Sequence, residues 1–208
     1  KMVYGKVGID SIAGPSEVVI VADQKNNPEW IAYDLLAQAE HDTAAQSILI
    51  TDNNSFADLV VSAIDNLLKS LPRSEIAEKS WNDNGAIIVL NSLGEAPSLI
   101  DKLAPEHLQL AIDNPDELSK NVSHAGAIFL GRYTPEAIGD YVAGPNHVLP
   151  TNKTARFSSG LSVFDFLKRT TIVDCNIDSL RAIAPSAITL ANAEGLDAHA
   201  RSIAIRVK

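Results

Sequence analysis

The sequence has almost no cysteine, no long apolar run and no cluster of basic residues. Cys175 is the single cysteine of the 208 residues, which excludes an intrachain disulfide and a cysteine-rich zinc finger and favours a reducing compartment. No apolar stretch approaches the ~18 residues of a membrane span. The net charge of −9 argues against nucleic acid or an anionic membrane as a partner, because phosphates repel such a surface.

Familiar nucleotide and hydrolase motifs are absent as well. The segment Gly5 to Gly8 lacks the third glycine of a dinucleotide fingerprint and the strand before it, and no Walker-type loop occurs. Gly14-Pro15-Ser16 comes before a strand, whereas a nucleophilic serine sits in a strand-turn-helix elbow. The sequence therefore predicts neither a serine hydrolase nor, by motif, a nucleotide site. The N-terminus has no signal-peptide pattern and begins with lysine, so we expect a piece of a longer chain.

Apolar segments alternate with amphipathic ones over most of the chain. Short β-branched or apolar runs predict five strands, and residues with helical periodicity lie between them. This alternation predicts an α/β fold, with Rossmann-like βα units around a mostly parallel sheet. Sites in such sheets usually form at the carboxyl ends of the strands, yet Glu106 and His107 fall at the start of the fourth strand. The predicted strands are 17–22, 47–51, 86–90, 107–112 and 126–130, with helices over 54–71 and 95–103 and others opening near residues 28, 115 and 135.

The pattern changes after Asn146. Residues 147–160 are polar, and no strand pattern recurs from Leu161 onward. We expect an α/β domain over 1–160 and a helical tail over 161–208, with helices at 162–168, 177–194 and 196–206. The tail has too few residues for a core of its own, so it must dock on the α/β body of its own chain or of a partner.

Four of the five histidines lie near an acid or an amide. Gln38 and His41 are three residues apart, which places both on one helix face and could form half of a metal site; an ordinary helix-end pair is the alternative. Glu106-His107 join an acid to an imidazole, a pair that can divide proton transfers. An exposed loop dipeptide is the commoner reading of such a pair.

Further donors of the right type for zinc are Asp140, His147 and His199. Each has an ordinary reading: a solvent-facing acid, turn chemistry next to Gly144-Pro145, and a histidine interacting with a helix dipole. Glu194 and His199 flank Gly195, a predicted helix end. No one of these features is specific alone.

As a set, these segments resemble the histidinol dehydrogenase family, in family order across essentially the whole chain. The resemblance implies zinc ligands at Gln38, His41, Asp140 and His199. It implies an acid/base pair at Glu106 and His107, in which His107 takes the alcohol proton and Glu106 activates water. The matching stretches are Asp10 to Glu17, Asp34 to His41, Ala104 to Leu108, Gly139 to Thr151 and Gly195 to Val207, and the implied substrate contacts are Ser16, His107, His147 and Glu194 together with the ligands Gln38, His41, Asp140 and His199.

The resemblance also implies the reaction and its partners. L-histidinol would be oxidised to histidinaldehyde and then to L-histidine, with one zinc ion per site and two NAD molecules as co-substrates. The tail would be exchanged between the subunits of a homodimer, in the cytoplasm or, in a plant, the plastid stroma. The family's chain is about twice as long as this one, and the NAD contacts would lie upstream, so the cofactor-binding residues of this chain stay unknown. A zinc-dependent hydrolase and a non-catalytic fragment that binds zinc and histidinol remain the alternatives.

Overall fold

The computed structural model describes residues 2–208 and contains a parallel sheet of five strands in the order β3-β2-β1-β4-β5. All four strand pairs are parallel, as the alternation of apolar and helical segments predicted. Helices cover both faces, which is why the central strands can be apolar throughout. The strands are β1 (Glu17–Ala22), β2 (Gln46–Thr51), β3 (Ala86–Val89), β4 (His107–Ala111) and β5 (Ala127–Leu130).

The helices begin where the sequence provides capping residues. Asn27 accepts a hydrogen bond from the backbone of Glu29 and is followed by proline, and Asn53 accepts one from the backbone of Phe56. The α-helices are α1 (Pro28–Ala39), α2 (Asn54–Leu67), α3 (Ser74–Asn84), α4 (Ala96–Leu103), α5 (Pro115–Ser119), α6 (Ala137–Tyr141), α7 (Ile177–Ala193) and α8 (Asp197–Ala204).

Two of the helix predictions are wrong. The helix predicted over 54–71 ends at Leu67. In addition, the sequence did not predict α3, because this helix buries only Ala77 and Ser80 and so has almost no apolar stripe. The helix predicted over 162–168 is a single 3-10 turn, Val163–Phe166. There the Asp165 carboxylate accepts a hydrogen bond from the backbone N–H of Ser162 (2.7 Å), and such local bonds compete with a helical ladder.

Alternating residues of each strand pack against different helices. On one face, Val18 and Ile20 of β1 pack with Leu35 of α1 and Ile64 of α2. On the other face, Val19 and Val21 of β1, and Leu108 and Leu110 of β4, form a second cluster with Ile100 of α4. The odd-numbered residues of β4 therefore lie on the α1 face, where His107 and Gln109 are both buried.

The chain divides into two compact units, the first ending at Phe166 and the second comprising Leu167–Lys208. In the second unit α7 and α8 pack on one another, and its buried apolar residues are Ala184, Ala191 and Ala200. The predicted division into domains at residues 160 and 161 stays a prediction, since a compact unit is not by itself a functional domain. No helix among residues 2–208 has the length and apolar character to cross a membrane.

Candidate active site

The Glu106-His107 pair lies at the amino ends of the two central strands. His107 opens β4 and pairs in register with Val18 of β1, so Glu17 is its neighbour at the edge of the sheet. The site therefore forms at the edge opposite to the one where open parallel sheets usually bind ligands. Here Glu17, the first residue of β1, supplies backbone groups to the site.

The backbone of Glu17 contacts both side chains of the pair. Its N–H donates to Glu106 Oε2 (3.0 Å), and its carbonyl oxygen lies 3.1 Å from His107 Nδ1. A carbonyl oxygen only accepts, so Nδ1 carries the proton of the neutral imidazole, and the lone pair is on Nε2. Nε2 is buried without a hydrogen-bond partner among the described residues. His107 is thus held with a free basic nitrogen.

Burial tunes the pair toward proton transfer near neutral pH. Burial raises the pKa of Glu106 to about 7, and the negative charges of Glu17 and Asp140 add to that shift. Burial lowers the pKa of His107, although its bond to Glu17 and the charge of Asp140 oppose this effect, while His41 and His147 lower it further. A carboxylate poised near 7 beside a neutral imidazole is a combination suited to general base catalysis.

A small cleft opens beside His107, between β5 and α6. Asp140 Oδ1 of α6 lies 3.9 Å from His107 Nε2, and the Phe129 ring packs with its centroid 6.0 Å from that of His107. Gly139 is required here, because a Cβ at that position would approach the Phe129 ring to 2.7 Å. The cleft is lined by His107, Phe129, Gly139, Asp140, Asn146 and His147.

Gln38 lies in the last turn of α1, whereas His41 lies beyond the end of the helix, exposed in the turn that follows, so the two do not share a helix face as predicted. Gln38 is 1% exposed, and its Oε1 atom is buried without a hydrogen-bond partner among the described residues. An orphaned amide oxygen costs free energy, and a metal ion would satisfy it. An amide oxygen, an imidazole and a carboxylate, as in Gln38, His41 and Asp140, are donors of the type that suits zinc. Among residues 2–208, no three His, Cys, Asp or Glu side chains are gathered as a metal-binding group.

The remaining predicted site residues are half-buried or exposed. Ser16 is half-buried directly before β1, and His147 is exposed in the loop that borders the cleft. Glu194 ends α7 and His199 lies in the first turn of α8, both exposed in the second unit. Of the nine predicted site residues, the second unit carries Glu194 and His199 and the first unit carries the other seven, which are Ser16, Gln38, His41, Glu106, His107, Asp140 and His147.

The sequence analysis did not predict a buried hydrogen-bond network around Gln109, two residues after His107 in β4. Gln109 of β4 is 1% exposed, and its amide bonds to Asp34 of α1 and to the backbone of Glu136. Burial raises the pKa of Glu136 to about 8, helped by the charges of Asp140, Asp34 and Glu106. A glutamine at the centre of a buried parallel strand, where apolar residues are expected, was the available signal.

The carboxyl edge of the sheet is filled by ion pairs. The Arg132 guanidinium donates to both oxygens of Asp23 (2.8 Å each) and to Asp113 (2.9 Å), between the ends of β1 and β4. This is the position where doubly wound sheets bind dinucleotides. There the Arg132 guanidinium is already paired with two carboxylates, and the cofactor-binding residues of this chain stay unassigned.

Comparison with known proteins confirms the predicted resemblance. The family model for histidinol dehydrogenase matches residues 1–207. The chain is 64% identical over 208 residues to a histidinol dehydrogenase of Rhodospirillum rubrum. It is 59% identical to histidinol dehydrogenase 1 of Trichormus variabilis. Each match covers all of this chain and 48% of the relative. The crystal structure of histidinol dehydrogenase from Elizabethkingia anophelis matches with a TM-score of 0.86 and 39% identity, over 97% of this chain and 46% of that one. The chain therefore spans about half the length of these relatives.

Proposed function

Since this chain belongs to the histidinol dehydrogenase family, we propose that it carries the zinc and substrate part of an enzyme that oxidises L-histidinol to L-histidine, with NAD as the hydride acceptor. The observation that carries the proposal is the buried Glu106-His107 pair, with His107 Nε2 free beside the cleft. The two residues offer two bases of different chemistry, which suits two successive oxidations.

Gln38, His41, Asp140 and His199 would hold the zinc ion. The orphaned oxygen of Gln38 and the oxygen and nitrogen character of the set support this assignment. When bound, the ion would hold the substrate's imidazole and amine and orient the side chain that reacts. Ser16, His147 and Glu194 would contact the rest of the substrate.

In the first oxidation, His107 would act as the base. Its Nε2 takes the hydroxyl proton of histidinol as the alcohol carbon gives a hydride to NAD, which leaves histidinaldehyde. The bond from Nδ1 to the Glu17 carbonyl oxygen keeps the ring oriented and stabilises the imidazolium that forms. Because the pKa of His107 is lowered by burial, the ring is neutral and ready to accept a proton.

In the second oxidation, Glu106 would be the base toward water. Glu106 would take one proton from water as the water oxygen bonds to the aldehyde carbon, and the resulting hydrate would lose a hydride to a second NAD and its remaining acidic proton to solvent. The product is the carboxylate of L-histidine. A Glu106 pKa of about 7 makes this carboxylate a stronger base than an ordinary glutamate while a large share of it remains ionised near neutral pH.

We further propose that the second unit acts across a homodimer, so that Glu194 and His199 complete the site of the partner. The supporting observation is its meagre core of three buried alanines, with Ile172 88% exposed and Val173 80% exposed. The relatives named above are bacterial, which supports the cytoplasm, rather than the plastid stroma, as the location.

The test is a rate assay on the full-length, zinc-loaded protein. We expect absorbance of reduced NAD to rise with L-histidinol, with two molecules formed for each histidinol consumed. The same protein should show no turnover of an ester or amide panel. Hydrolysis of that panel without histidinol oxidation would support the zinc hydrolase instead, and histidinol binding without turnover would support a non-catalytic binding protein.

A further inference from the structure

We propose that Gln109 is a positioning residue, which holds the two helices that carry zinc ligands against the strand that carries His107. The proposal rests on the function proposed above and assigns a role to a side chain that touches neither the metal nor the substrate. Gln109 would act through Asp34 on α1 and through the first turn of α6. Its two bonds would set the distance between Gln38 and Asp140.

Both the nitrogen and the oxygen of the Gln109 amide form hydrogen bonds. Its Nε2 donates to Asp34 Oδ2 (2.8 Å), and its Oε1 accepts from the backbone N–H of Glu136 (3.3 Å). A backbone N–H only donates, so the amide oxygen must face Glu136 and the amide nitrogen must face Asp34. The side chain is therefore held in one orientation between two elements.

Each of these partners lies one helical turn from a proposed ligand. Asp34 precedes Gln38 by four residues on α1, so both lie on one face of that helix. Glu136 is the N-cap of α6, and Asp140 follows four residues later. Gln109 satisfies one of the N–H groups that a helix start leaves free. A shift of Gln109 would therefore move two ligands at once.

The sheet itself has no need of an amide at this position. In β4, Gln109 pairs in register with Ile20 of β1 and Phe129 of β5, both apolar. It lies on the same face as His107, two residues away, and is 1% exposed. Burying a primary amide costs free energy unless both ends are bonded, and neither strand neighbour offers a side-chain partner, so both bonds go to elements outside the sheet. The amide is explained by its two hydrogen bonds, one to Asp34 and one to the backbone of Glu136.

The test measures zinc affinity by chelator competition on the full-length protein. Gln109→Met keeps the volume and deletes both bonds, and we expect it to weaken zinc binding by ~10–100-fold. The isosteric double variant Asp34→Asn/Gln109→Glu reverses donor and acceptor between positions 34 and 109, keeps a carboxylate oxygen toward the Glu136 N–H, and leaves the net charge unchanged. We expect it to bind zinc nearly as tightly as the wild type.

A matched control separates positioning from general destabilisation. Asn26 donates a buried hydrogen bond to the carbonyl oxygen of Ala111, at the other end of β4 (2.7 Å). Asn26→Ala should lower the melting temperature and leave zinc affinity unchanged. Unchanged affinity in Gln109→Met, or no recovery in a folded double variant, would overturn the inference while leaving the proposed function intact. A wild-type protein that binds no zinc would contradict the proposed function, and the inference with it.

Discussion

At the scale of single residues, the site depends on which atoms are left free. Glu17 uses its backbone N–H for Glu106 and its carbonyl oxygen for His107 Nδ1. The consequence is that His107 presents Nε2, and not Nδ1, toward Asp140 and the cleft. Side-chain identity alone would leave both ring nitrogens available.

The role of Glu106 predicts that its amide variant separates the two oxidations. Glu106→Gln keeps the shape and cannot accept a proton from water. We expect aldehyde oxidation to fall by ~10²–10⁴-fold, while oxidation of the alcohol, which uses His107, falls much less. Steady-state rates with histidinol and with histidinaldehyde as separate substrates measure this, and Glu117→Gln on the exposed α5 is the control. Equal losses in the two reactions would remove Glu106 from the role of water activator.

Glu136 predicts a pH dependence of stability. Burial raises its pKa from 4.5 to about 8, so the folded protein binds this proton more tightly than the unfolded chain does. The stabilisation is fully present below the unfolded pKa and is lost as the pH rises through about 8. Between about pH 5 and about pH 9 we expect a loss on the order of a few kcal/mol from this group.

Glu136→Gln is the variant that checks this dependence. Its side chain stays neutral across the range, so the midpoint of unfolding of the metal-free protein should fall less with rising pH than in the wild type. Glu75→Gln, at the exposed start of α3, should follow the wild-type curve. Parallel curves for wild type and Glu136→Gln would show that the carboxyl is ionised in the fold throughout.

At the scale of elements, α2 depends on a single cap. Asn53 Oδ1 accepts from the backbone N–H of Phe56 (2.8 Å), and its amide also donates to Gln24 (2.9 Å). We expect Asn53→Ala to lower the free energy of unfolding by about 0.5–2 kcal/mol. Asn54→Ala, at the exposed first residue of the helix, should cost much less. Denaturant titration measures both, and equal costs would contradict the capping role.

The helix that the sequence missed, α3, and the segment wrongly predicted as a helix over 162–168 both bury few apolar side chains. Helix α3 buries Ala77 and Ser80 only, so periodicity did not reveal it. In the segment predicted as the helix 162–168, Ser162 and Asp165 bond to one another locally. In contrast, the β-branched runs of β1 and β2 and the capped start of α1 were predicted to within a residue. Strands and helices with many buried residues can be predicted from sequence, because burial requires apolar side chains at regular spacing.

At the scale of the whole molecule, the second unit predicts complementation between subunits. If its His199 completes the partner's site, a dimer of one His41→Ala chain and one His199→Ala chain contains one intact ligand set. We expect each variant alone to be inactive and the mixed, full-length dimers to recover up to one active site of two. Rates after co-refolding, with heterodimers isolated by two different tags, measure this.

The control for complementation is a mixture of two His41→Ala preparations carrying the same two tags. It should remain inactive, because each of its sites lacks the same ligand. If verified heterodimers of the two different variants show no activity, exchange of the second unit is wrong, and His199 must then serve its own chain.

The fold class, the family and the candidate site residues could all be predicted from the amino-acid sequence. Parallel strands buried on both faces need apolar runs, and Glu106 and His107, the candidate acid/base pair, are neighbours in the chain, so short stretches of sequence were enough to predict both. Tertiary structure decided which edge of the sheet carries the site, which nitrogen of His107 is free, and that Gln109 joins Asp34 to Glu136. Each of these depends on residues far apart in sequence: the pairing of β1 with β4 brings Glu17 to His107, and the positions of α1 and of the start of α6 bring Asp34 and Glu136 to Gln109.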